Sequence, residues 1–499
     1  MRYVIGIDLG TSAVKLLLVD QLGQVVQEVS KSLTLIQEKT GYSEQDPEEW
    51  VTQTIAGLKE LLLTFRGNPK EIEGISFSGQ MHGLVLLDKK NRVLRNAILW
   101  NDTRTTEQCQ RIQAVVGKER LLEITKNPAL EGLTLPKIMW VKEHEPALFE
   151  QAATFLLPKD YVRFRLTGRL HTDYSDAAGT LLLDIRKKAW STELCELLDI
   201  DLELCPPLVR SDAEVGYITA EIAEVTGLSS TTSVFAGGAD NACGAIGAGI
   251  LSDGTTLCSI GTSGVILSYE AAGDKDFQGK VHYFNHGAPD VFYTMGVTLA
   301  AGYSLNWFKE TFANNESFDQ LLAELEMIPI GANGLLFTPY LVGERTPYAD
   351  SIIRGSFIGI DASHGKKHFV RAVLEGITFS LNETVQIFRE RGKTIDTIVS
   401  IGGGAKSDVW LQIQADIFDA KVVKLKSEQG PGMGAAMLAA YGCGWFKTLA
   451  ACADQFLQVE KVITPIEENI AVYQSLFELY KDIYRQTKDL NKKLVPYRS

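Results

Sequence analysis

One carboxylate near the middle of the chain stands in a run that holds no bulky and no basic residue. From Ala236 the run reads A-G-G-A-D-N-A-C-G, with the carboxylate at Asp240. Small residues on both sides let a ligand or a second backbone come close. In a cleft such an acid accepts the proton of a substrate hydroxyl, a role worth roughly 10²–10⁴-fold in rate. Beside Gly237-Gly238 it also fits an Asx turn, and the local residues leave both readings open. A little further on comes Gly261-Thr262-Ser263-Gly264-Val265, and Gly10-Thr11-Ser12-Ala13-Val14 near the start is almost the same phrase. The copies lie 251 positions apart (261 minus 10) in a chain of 499 residues, the mark of a duplicated domain. A glycine turn with hydroxyl neighbours offers backbone N–H groups and two side-chain donors to one anion. A single such turn reads as an ordinary hairpin. Two, half a chain apart, point to a shared phosphate ligand if the halves face each other across a cleft. Asp8 precedes the first turn where the second copy has Ser259. A carboxylate beside a phosphate cradle suits Mg²⁺, often through water; a capping or turn aspartate is the alternative.

The elements that must position these residues follow from pattern. Tyr3–Asp8 and Val14–Asp20 read as strands joined by the first turn, and Val25–Val29 as a third. Hairpins at the outset argue against a strand–turn–helix opening of the Rossmann kind. Asp46 caps a helix that starts with Pro47 and runs to about Leu63. Gly74–Ser78, Leu84–Leu87 and Ala97–Trp100 read as strands, and the residues from there to about Ser211 as mostly helical. A boundary within Gly244–Asp253 gives an α/β protein of two related domains, residues 1–246 and 247–499. In the second, the apolar spacing of His368–Arg391 predicts a helix that Gly392 ends. Thr397–Ile401 reads as a strand leading into Gly402-Gly403-Gly404, Ser407 as the cap of a helix Asp408–Phe418, and Lys421–Leu425 as a further strand. Gly430-Pro431-Gly432-Met433-Gly434 reads as a turn opening the helix Ala435–Tyr441. Both glycine turns would let a nucleoside lie against bare backbone near helix N-termini.

The totals exclude several classes. Forty-nine basic against 62 acidic residues leave a net charge of −13, which disfavours nucleic acid or an anionic membrane while permitting one nucleotide. Seven scattered cysteines without a C-x-x-C pair read as reduced thiols. Neither a signal peptide nor an apolar run near the roughly 20 residues of a membrane span is visible, so a cytoplasmic protein is expected. Gly392-Lys393-Thr394 lacks the glycine a P-loop needs, Ile387 standing there. His282/His286 and His364/His368 have metal-like spacing without a companion ligand set.

Gly6-Ile7-Asp8-Leu9-Gly10-Thr11, the central Gly237-Gly238-Ala239-Asp240-Asn241 and the later Gly402-Gly403-Gly404-Ala405-Lys406-Ser407 together resemble the FGGY carbohydrate kinases, of the actin/hexokinase (ribonuclease H-like) fold. Gly132–His144 and Gly355–Glu375 fit that family's signature stretches. Within it, Gly79-Gln80-Met81-His82-Gly83 and Trp100-Asn101-Asp102 are similar to the pentulose kinases; glycerol kinases carry arginine and glutamate where Met81 and His82 stand, which speaks against a triol. The resemblance implies transfer of the ATP γ-phosphoryl group to O5 of D-xylulose. It implies Asp240 as general base and Asp8 as the Mg²⁺-linked acid, with Met81, His82, Trp100, Asp240 and Asn241 at the sugar. Gly10, Thr11, Ser12, Lys15, Gly261 and Thr262 would meet the phosphates, and Gly302, Gly403, Gly404 and Asp408 the nucleoside. Lys15 replaces an arginine of glycerol kinases, keeping the charge without a bidentate fork. The expected partners are a ketopentose and ATP, with a homodimer allowed. Rival readings are a kinase of the family acting on L-ribulose, gluconate or a polyol, and a sugar-sensing regulator of the same fold.

Overall fold

The computed structural model describes residues 1–427 and 429–498. The first sheet contains β1 (Tyr3–Leu9), β2 (Ala13–Asp20), β3 (Val25–Ser32), β4 (Ile72–Gly79), β5 (Glu214–Tyr217) and β6 (Ser233–Phe235), in the order β5–β6–β4–β1–β2–β3. The second contains β7 (Gly254–Ile260), β8 (Gly264–Glu270), β9 (His282–Asn285), β10 (Phe292–Thr298), β11 (Ile395–Gly402), β12 (Lys421–Leu425) and β13 (Val459–Ile463). Its order, β13–β12–β11–β7–β8–β10–β9, repeats the first. β1 pairs antiparallel with β2 and parallel with β4, just as β7 does with β8 and β11. β1 and β7 begin at residues 3 and 254 and end at 9 and 260, the same offset as the two turns. The duplication seen in five residues thus extends to whole sheets.

Alternation gives way to continuous burial in β1, whose Val4, Ile5 and Ile7 are all enclosed. A sheet covered on both faces reads this way. One face is covered by α1 (Pro47–Thr64), capped by the Asp46 carboxylate on the Glu48 N–H. Between Thr106 and Leu204 short helices, among them α2 (Thr134–His144), alternate with small two-stranded ladders; Val85–Asp88 pairs with Ala152–Leu156 there instead of extending the main sheet. The backbone passes between the halves through α3 (Asp240–Gly247). The second half then adds α4 (Gly302–Phe312), α5 (Lys366–Glu390), α6 (Asp408–Phe418) and α7 (Gly430–Gly442).

The expected turn at Gly430–Gly434 is helix from its first residue. Gly430 keeps a left-handed backbone (φ 52°), whereas Gly432 and Gly434 serve close approach. A Cβ on Gly434 would lie 1.8 Å from the Cys243 carbonyl oxygen of α3. Gly6 of β1 and Gly247 of α3 meet the carbonyls of Gly432 and Gly430 in the same manner, at 2.2 and 2.4 Å. Although α7 belongs to the second half by sequence, it packs on α3, β1 and β4. Met433, Met437 and Leu438 share one apolar cluster with Val4, Leu17 and Phe235 of the first sheet. The halves are therefore joined by a tight helix pair at the base of the cleft.

Candidate functional site

Asp240 is the first residue of α3, where the helix dipole favours an anion. The two-residue strand Gly238–Ala239 runs parallel to Ser78–Gly79 and brings the acid to the end of the first sheet. Both the N–H and the side-chain amide of Asn241 donate to Asp240 Oδ1, at 2.7 and 3.0 Å. Beneath, the Ala239 N–H donates to Ser175 Oγ (2.9 Å), Ser175 donates to Asp173 (2.5 Å), and the buried Lys159 ammonium sits 2.8 Å from Asp173. Burial and then the nearby Asp8 charge push the Asp240 carboxyl up to about 7, Asn241 opposing them in part. Burial also raises Asp8, with Ser78 and Lys15 offsetting it. Register sets that trio, since Asp8 faces Lys15 on β2 and Ser78 on β4.

A cavity of about 260 Å³ opens at Asp240. From the first half Met81, His82, Trp100 and Asn241 line it; from the second come Ser263, Val265, His282, Phe284 and Arg345. His82 holds a left-handed backbone (φ 68°), and its Nδ1 lies 2.7 Å from the Gly179 carbonyl oxygen. Burial and the neighbouring Lys137 lower its pKa to about 3, so the ring is neutral. Nδ1 must then donate to that carbonyl, which leaves Nε2 a lone pair for a hydroxyl. Lys137 of α2 fastens the loop by donating to the carbonyls of His82 (2.8 Å) and Gly132 (2.7 Å). Trp100 donates its indole N–H to Thr11 Oγ1 (3.0 Å), and Thr11 donates to Gln80 Oε1 (3.1 Å). Gln45 donates to the Thr11 carbonyl at 2.7 Å. The hydroxyl of Thr11 is thereby used internally, and an anion at this turn meets backbone N–H groups and the exposed Ser12.

A second cavity, of about 560 Å³, is lined on one side by Gly261, Thr262, Gly302 and Gly403 and on the other by Leu305, Phe318, Leu322 and Trp410. Gly302 opens α4 with its N–H on the Gly261 carbonyl at 2.9 Å, and a Cβ there would stand 2.3 Å from that oxygen. Tyr303 N–H repeats the contact to the Thr262 carbonyl at 3.0 Å. Gly404 packs on Ile260, whose Cδ1 a Cβ would meet at 2.5 Å. The second turn borders both cavities: Gly261 and Thr262 face the larger one, Ser263 the smaller.

Of the residues expected at the nucleotide, Gly10, Thr11, Ser12, Lys15, Gly404 and Asp408 line neither cavity, and two of them are engaged by other partners. The Lys15 ammonium is taken by Gln429 (2.7 Å) and Glu28 (3.0 Å) beside Asp8, and lines neither cavity. Asp408 pairs with Lys461 at 2.8 Å, outside the cavity lining. It opens α6 behind the cap Ser407, so its charge serves the helix terminus. Sequence reasoning gives no role to Gln45, Gln80 or Arg345, and marks His282 only for its metal-like spacing from His286. Gln45, Gln80 and Arg345 are remote from the second turn in residue number, and only Gln80, one residue before Met81, stands within a recognisable motif.

Residues 3–247 match the N-terminal domain of the FGGY family of carbohydrate kinases and residues 256–443 its C-terminal domain. The chain belongs to the FGGY carbohydrate kinases. It is 65% identical over 498 residues to the xylulose kinase of Bacillus subtilis (strain 168), covering 100% of both chains. It is 36% identical to the xylulose kinase of Escherichia coli (strain K12), covering 97% of this chain and 98% of that one. Among solved structures, the ligand-bound xylulose kinase of Lactobacillus acidophilus superposes with a TM-score of 0.94 at 31% identity, over 99% of this chain and 100% of that one. A gluconate kinase of the same organism gives 0.93 at 31%, over 99% of both proteins. As an FGGY kinase the protein is a phosphotransferase that uses ATP, and a sugar-sensing regulator without catalysis is not favoured.

Proposed function

We propose that this FGGY kinase phosphorylates D-xylulose on O5, with the sugar in the smaller cavity and ATP in the larger. One observation carries the reading: a single four-residue turn, Gly261–Gly264, forms a wall of both cavities. A phosphate held by that turn lies between the two ligands. The identity to curated xylulose kinases over the full length supports the sugar.

Asp240 accepts the O5 proton as O5 bonds to the γ-phosphorus and the bond to ADP breaks. Alignment and charge neutralisation are what this reaction chiefly demands. The turns at Gly10–Ser12 and Gly261–Ser263 hold the phosphates through N–H groups, and the Nε2 lone pair of His82 orients a sugar hydroxyl. Trp100 and Met81 wall the pocket and exclude water. Asp8 would hold Mg²⁺ as a hard oxygen donor ahead of the first turn, and its charge helps raise the Asp240 carboxyl that takes the proton. The ion, when bound, neutralises charge on the phosphates.

The test is ADP release from purified protein and Mg·ATP across D-xylulose, L-xylulose, ribuloses, gluconate and glycerol. D-xylulose should give the highest kcat/KM. Faster turnover of gluconate or a ribulose overturns the sugar and leaves the kinase.

A further inference from the structure

Arg345 is held in the second half by an unusual number of anchors for a loop residue. Glu344 Oε1 accepts the N–H groups of Leu299 (3.1 Å) and Arg345 (2.7 Å), and Oε2 the Ser380 hydroxyl of α5 (3.0 Å). Thr346 exchanges two 3.0 Å hydrogen bonds with Val297 of β10. The backbone is thus fixed, while Arg345 itself is exposed, lines the 260 Å³ cavity and has no side-chain hydrogen bond or ion pair to any described residue. His282, next to it in that wall and nine-tenths buried, keeps its Nδ1 without a partner among the described residues. A buried polar atom without a partner opposes folding, and one in the wall of a cavity is open to a ligand atom. The Arg345 charge acts on His82 and His282 and feels the carboxylates of Glu131 and Glu344, whereas Asp240 answers to Asp8. Arg345 and His282 therefore stand at the end of the cavity that the second half builds, and Asp240 at the end that the first half builds.

What belongs at that end follows from the chemistry of the substrate. A 2-ketopentose closes its ring by adding O5 to C2. Phosphorylation at O5 therefore requires the open-chain form, whose C2 carbonyl is an acceptor with no hydrogen of its own. We propose that Arg345 donates to this C2 carbonyl oxygen and His282 binds the adjoining O1 hydroxyl, so that the second half selects the acyclic ketose. The inference rests on the pentulose-kinase reading and extends it to a residue pair across the cleft from Asp240.

The test compares D-xylulose as substrate with xylitol and D-arabitol, pentitols that carry a hydroxyl at C2, as competitive inhibitors, in the wild type, Arg345→Gln and Arg345→Lys. Loss of a charged hydrogen bond predicts a roughly 10–100-fold rise in KM for D-xylulose in Arg345→Gln, with a smaller rise in Arg345→Lys. The pentitol inhibition constants and the KM for ATP should stay within about threefold. An equal loss for ketose and pentitols would mean that Arg345 merely shapes the wall, and no loss would mean that it faces solvent; either result overturns the assignment. Wild-type preference for gluconate, with Arg345→Gln abolishing it, gives the cation to a carboxylate instead and overturns it too. A wild type inert toward every ketose removes the pentulose-kinase reading itself.

Discussion

Asp240 is placed where its charged form is disfavoured, and that has two measurable consequences. Asp240→Asn should bind sugar and ATP but lose roughly 10²–10⁴-fold in kcat, the usual worth of a positioned base. Near-normal turnover removes Asp240 from that role. The second consequence concerns stability. The folded pKa, about 7, lies above the ordinary aspartate value of 3.8. Between those values the native state binds the extra proton, so the group's contribution is intact at low pH and is lost as pH rises through 7. In magnesium-free buffer, urea unfolding of the wild type should weaken from pH 5 to pH 8 by at least about 1 kcal/mol more than that of Asp240→Asn. Equal slopes would show that the carboxyl is solvated. His82 teaches the same lesson in a less visible way. Its place beside Met81 was legible, but its neutral state comes from burial and Lys137, and its free Nε2 from the Gly179 carbonyl, 97 residues away.

At the level of elements, the strand–turn–strand units could be read because period-two burial and glycine turns are local signals. The strands that flank them, β1 with β7 and the starts of β2 and β8, keep the same offset of 251. The glycine run at residues 430–434 shows where local signals fail. Glycine marks a turn when the backbone needs freedom and a helix contact when two backbones need proximity, and only the partner helix distinguishes the cases. A pair of substitutions tests this. Gly244→Ala in α3, where the nearest atom to a new Cβ is Pro431 Cγ at 3.7 Å, should be neutral or stabilising by up to about 1 kcal/mol. Gly434→Ala in α7 sets its Cβ against the Cys243 carbonyl and should destabilise by about 1–3 kcal/mol. Because α3 begins with Asp240, Gly434→Ala should also depress kcat more than KM for ATP. Similar melting temperatures for the two variants would refute the tight helix pair.

For the molecule as a whole, the decisive asymmetry is in who builds each cavity. The larger cavity, the one proposed for ATP, is lined by residues 260–410 alone, all from the second half. The sugar cavity takes Met81, His82, Trp100 and Asp240 from the first half and Ser263, His282 and Arg345 from the second. ATP should therefore bind without sugar, whereas the sugar needs both walls together. Ser263 adjoins Thr262 on the shared turn, so a bound triphosphate steadies one wall of the sugar site. A non-hydrolysable ATP analogue with Mg²⁺ should tighten D-xylulose by roughly 5–150-fold, the common range for linked sites. Linkage makes the effect reciprocal: saturating D-xylulose must tighten the analogue by the same factor. Titration calorimetry in both orders measures the two ratios. Ratios of one would mean that the halves are already set and that water is excluded by the preformed walls. Equal ratios above about five would mean that each ligand works by drawing the two sheets together over the other, with the α3–α7 pair as the base on which they turn.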